Sequence, residues 1–129
     1  MPIFTDVNRL GSRISLPAGV TAATWTVVAL GSGGSGIGPT DTRLCGLLTL
    51  DDAGWQAVGS SSSQAEVELT ADVADAILPA ELRSMFTQDG NTLRISAPAY
   101  NATVFESSLY HPGYAVRLGD QLLVCLQTR

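Results

Sequence analysis

The chain has 129 residues, enough for one ordinary domain around one sizeable core. Its net charge of −5 and its seven scattered basic residues, all arginine, argue against a phosphate-backbone binder. The absence of lysine excludes Schiff-base chemistry and the phosphate-binding lysine of a P-loop.

Residues 1–12 carry Ile3, Phe4, Val7 and Leu10 between Pro2 and Gly11. That is too few apolar positions for a core strand and too many for a solvated tail. The segment is expected to be an N-terminal arm that lays these side chains on a neighbouring subunit, for instance by adding a strand to its sheet. The opening residues also lack the basic and long apolar regions of a signal peptide. The expectation is therefore a chain made in a cytoplasm and kept there, or assembled there into a particle.

Residues 13–16, Arg-Ile-Ser-Leu, predict a short edge strand, and residues 24–30, rich in β-branched and aromatic side chains, a strong one. Gly31, Gly33 and Gly36 then match G-x-G-x-x-G after a strand. A dinucleotide site needs a helix to begin there, and Gly36, Gly38 and Pro39 forbid it, so the stretch reads as a long hairpin tip. Residues 43–50 return as a nearly continuous apolar strand.

Asp51 to Val58 predicts a short helical turn, and Gly59 to Ser63 a flexible tract. Ala65, Val67 and Leu69 alternate with Gln64, Glu66 and Glu68, the pattern of a strand with one dry face. One helical segment is expected near 71–86, capped at Thr70 and broken at Pro79. Asp89-Gly90 marks a turn. Strands are predicted at 92–97, 100–106, 114–118 and 121–127, the last two joined tightly through Gly119-Asp120.

Sequential strands with short turns imply antiparallel pairing. The predicted fold is mainly β: an antiparallel β-sandwich or small barrel of seven to eight strands with that one helical segment, a split α+β sheet being the alternative. All 129 residues form one domain. Its expected core is Trp25, Val27, Leu48, Leu50, Val67, Leu69, Ile77, Leu93, Ile95, Val104, Phe105, Val116, Leu122 and Val124.

Candidate chemistry is sparse. His111 is the single histidine, in the expected turn Tyr110-His111-Pro112-Gly113-Tyr114, with no G-x-S-x-G elbow and no second histidine to build on. Asp72 and Asp75 suit the first turn of a helix better than acid–base work. Asn101-Ala102-Thr103 matches a glycosylation sequon within an expected strand. Cys45 and Cys125 read as two buried small hydrophobes of a reducing compartment, a disulfide being the alternative. No catalytic residue, cofactor, metal or small-molecule substrate is implied, and no nucleic-acid or membrane partner.

Only 15% of residues are charged, and twelve serines and twelve threonines supply much of the polar surface. A hydroxyl surface loses water more cheaply than a charged one. The leading expectation is a non-enzymatic assembly protein of a virus or phage particle, of the decoration, cement or connector type, bound to copies of itself and to other assembly proteins. Its contact candidates are Ile3, Phe4, Val7, Leu10, Tyr110 and Tyr114. The second reading is a small acidic regulatory or inhibitory protein contacting a larger partner through Glu66 and Glu68; the third is a hydrolase with a non-local site near His111.

Overall fold

A computed structural model describes residues 3–29 and 42–128. Among the described residues the protein is mainly β, with seven antiparallel strands in one sheet. They are β1 (Val20–Ala29), β2 (Thr42–Leu50), β3 (Ser60–Thr70), β4 (Thr87–Asp89), β5 (Thr92–Tyr100), β6 (Tyr110–Leu118) and β7 (Gln121–Thr128). The order across the sheet is β1-β2-β7-β6-β5-β3, with β4 also paired to β5. Strand β5 meets β6 at a single pair, Ala99 opposite Val116. The sheet folds over at that weak joint, so that β3 and β5 share a core with β2, β7 and β6, while β4 pairs with β5 and stays exposed.

That shared core holds Cys45, Leu47, Val67, Leu69, Leu93, Val116, Leu118, Leu123 and Cys125, with Val73 and Ile77 of helix α3 (Ala71–Ile77) closing it. A second core lies on the opposite face of the β1-β2-β7-β6 layer. There Trp25, Leu44, Leu48, Leu122, Val124 and Leu126 meet Leu10, Val58, Phe105 and Tyr110. Strands β2 and β7 are thus dry on both faces, which is why their sequences read as apolar runs without alternation. Strand β3 has one dry face and keeps the alternation: Val67 and Leu69 are buried, Glu66 and Glu68 exposed.

The N-terminal segment departs from the expected arm. Asp6 caps a helix, α1 (Val7–Gly11), its carboxylate accepting from the Arg9 amide at 3.2 Å. Phe4 and Trp25 exchange two backbone hydrogen bonds, at 2.8 and 2.9 Å, and their rings stack with centroids 4.6 Å apart. Leu10 is 0% exposed. Leu10, with Phe4 and Val7 half-buried beside it, therefore completes its own domain's second core, while Ile3 stays exposed.

Four further expectations change. Residues 13–16 form no strand; Ser15 instead bonds to the backbone of Phe105 and Glu106. The tract after Gly59 is already strand, since β3 begins at Ser60. The strand expected over 100–106 gives way to a 3₁₀ turn at Ala102–Phe105, because Asn101 offers its side-chain oxygen to the Thr103 amide at 3.1 Å. Such local bonds compete with a strand ladder. Finally, Tyr110 to Tyr114 is a bulge inside β6, not a turn between strands. Gly113 is the extra residue, and a Cβ there would lie 2.2 Å from the carbonyl oxygen of Cys125. The insertion reverses the alternation, so Tyr110 faces the second core whereas Tyr114 packs against the first.

The helical segment breaks at Pro79 as its ring requires, into α3 and α4 (Ala80–Arg83), with α2 (Asp52–Val58) earlier in the chain. Gly119 turns β6 into β7 with φ at +59°. The loop expected at Gly31–Gly38 lies outside the described residues.

Candidate functional site

Strand β3 ends the sheet. Its inner side pairs with β5 from Ser60 to Thr70, and among the described residues no strand pairs with its outer side. At the other end of the sheet, β1 is partly blunted by the Phe4–Trp25 bridge. An unpaired strand edge presents a row of amides and carbonyls ready for another chain.

The face of β3 directed away from the core is acidic: Gln64, Glu66 and Glu68 are exposed. Arg94 on β5 stands opposite Glu68 and pairs with it at 3.4 Å, an exposed contact of little energetic weight. Beside this strand opens a cavity of about 310 Å³ lined by Arg43, Glu66, Val67, Glu68, Arg94 and Tyr114. Two arginines and two glutamates give it balanced charge.

Tyr114 connects this mouth to the core. Its hydroxyl donates to the carbonyl of Glu68 at 3.5 Å, bridging β6 to β3. Directly beneath, Thr26, Cys45, Cys125 and Tyr114 form one row across β1, β2, β7 and β6, each opposite the next in register. Burial pushes the Tyr114 hydroxyl well above the ordinary tyrosine value, and the Cys125 and Cys45 thiols beside it add to the effect. Burial likewise drives the Cys125 thiol far above the ordinary range, with the hydrogen bond to Cys45 contributing. Both groups are held neutral, so neither is a ready nucleophile.

Of the six contact candidates, Leu10 and Tyr110 are buried in the protein's own second core. Phe4 and Val7 are half-buried against the same core, while Ile3 is exposed. Tyr110 and Tyr114 do not cluster, because the bulge sends them to opposite faces of the layer. Arg43 and Arg94 were not singled out by the sequence. Their place beside Glu66 and Glu68 depends on strand register, and only the alternation of β3 hints at it.

His111 lies exposed on β6 opposite Gln127. Asp51 caps α2 by accepting from the Gly54 amide at 2.9 Å. Among the described residues no three His, Cys, Asp or Glu side chains converge as metal ligands, and no helix is long and apolar enough to cross a membrane. No protein-family model, curated protein or solved structure matches the chain.

Proposed function

We propose that the protein is a non-enzymatic assembly component, acting through protein–protein contacts, that joins the outer edge of β3 to a strand of a neighbouring protein. The setting we infer is a virus or phage particle, for which the low-charge, hydroxyl-rich composition is suited. The observation that carries the reading is the eleven-residue β3, the last strand in the sheet order, with no strand among the described residues paired to its outer side. A strand added there gains a ladder of backbone bonds, and alternate side chains set the specificity.

Charge selects the neighbour. Pairing of β3 with its own copy about a two-fold axis would bring Glu66 and Glu68 of both chains together, and like charges across paired strands repel. The preferred partner strand is therefore a different surface with arginine or lysine at alternate positions. The acidic face equally favours a second reading, a regulatory protein that holds one basic partner in a single complex.

Light scattering on material from the native source, with and without Glu66→Lys and Glu68→Lys together, tests the proposal. Both positions are exposed, and Glu68→Lys gives up the weak pair with Arg94 and sets like charges opposite each other, so the isolated fold loses about 1 kcal/mol and stays folded. The wild-type protein is expected in a large multi-copy particle and the double variant outside it. A one-to-one complex lost in the variant supports the regulatory reading instead. A variant that assembles normally removes β3 as the contact.

A further inference from the structure

Cys45 and Cys125 stand directly opposite each other on β2 and β7, eighty residues apart in sequence. Residues facing each other in an antiparallel pair have Cα atoms about 4.5 or 5.5 Å apart, and both spacings fall inside the range that a disulfide spans. The two Sγ atoms are 2.6 Å apart, against roughly 2.0 Å for a sulfur–sulfur bond. The side chains already point at one another across the layer.

We infer that Cys45 and Cys125 are a disulfide site that clamps β2 to β7 when the chain folds in the presence of a low-molecular-weight disulfide. In the exchange, one cysteine thiolate attacks a sulfur of the small disulfide and expels one small thiolate, leaving a mixed disulfide. The second cysteine then attacks the protein sulfur of that mixed disulfide and expels the other half. The two protons lost by the cysteines go to the two released thiolates. The protein pair is oxidised by two electrons and the small disulfide is reduced by two.

Timing follows from burial. Cys45 is 0% and Cys125 2% exposed, so a mixed disulfide has no room in the folded core. The bond closes while the chain is still open, as β2 and β7 come together. The folded, reduced protein reacts only through opening. Once made, the bond closes a loop of about eighty residues, the kind of long loop for which constraint of the unfolded chain is largest.

The test is refolding of the full chain with oxidised glutathione, followed by thiol counting after denaturation, intact mass and thermal melting. The expected product is a monomer lighter by two hydrogens, without free thiols, whose Tm exceeds that of the reduced protein by roughly 10 °C or more. The difference between oxidised and reduced forms should vanish in Cys45→Ala. Where that variant does not fold, Cys125→Ala serves the same purpose. Two alkylatable thiols after oxidative refolding, disulfide-linked dimers, or an oxidised form that melts below the reduced one would each overturn the inference. So would a Tm difference that persists in either alanine variant.

Discussion

At the scale of single residues, the row Thr26, Cys45, Cys125, Tyr114 concentrates polar atoms in an otherwise apolar layer. Its thiol and phenol are kept protonated by burial, and this has a consequence for stability in alkali. The unfolded chain loses the Cys125 proton near the ordinary thiol value of about 8.5, and the Tyr114 proton near about 10. The folded protein holds both protons to higher pH, since both folded values are raised. Stability is therefore fully present below those unfolded values and is lost as pH rises beyond them, by up to about 1.4 kcal/mol per pH unit for each group. Urea unfolding of the reduced protein at about pH 7 and about pH 10 should show this fall. Its Tyr114 part should disappear in Tyr114→Phe, and an unchanged free energy would mean that the row is hydrated. The sequence places both cysteines in apolar stretches and so makes their burial legible. It does not reveal that they face each other, because strands eighty residues apart are matched only by the sheet order.

At the scale of elements, strand signals served best where burial on one or both faces left a clear pattern. β2, β3 and β7 follow from apolar runs or alternation, and the break between α3 and α4 follows from Pro79. The failures have different causes. Asn101 turned the chain into a 3₁₀ turn, and Gly113 made a bulge from an apparent turn. The largest change concerns α1, where apolar residues with no strand to join fill their own domain's core. Leu10→Ala is accordingly expected to cost about 2–5 kcal/mol, as a large-to-small change at a fully buried site. Denaturant melts will measure it. A cost below about 0.5 kcal/mol, typical of surface positions, would return the segment to the role of a free arm.

At the scale of the whole molecule, the two layers leave the sheet with unlike ends. One end carries the Phe4–Trp25 bridge, and the other is β3, with an acidic face beside a cavity. Exposed edge strands are commonly shortened, twisted or covered to prevent association, and among the described residues no strand covers this one. The candidate site was half legible: Glu66 and Glu68 emerge from the alternation of β3, whereas Arg43, Arg94 and Tyr114 join them only through folding. Amide hydrogen exchange across residues 60–70, compared between the dissociated protein and the complex from its native source, tests the edge most directly. In the dissociated protein the amides on the outer side of β3 should exchange quickly while those bonded to β5 exchange slowly; in the complex both sets should be slow. Protection that appears elsewhere, with β3 exchanging identically in the two states, would contradict the proposal that this strand is where the protein meets its neighbour.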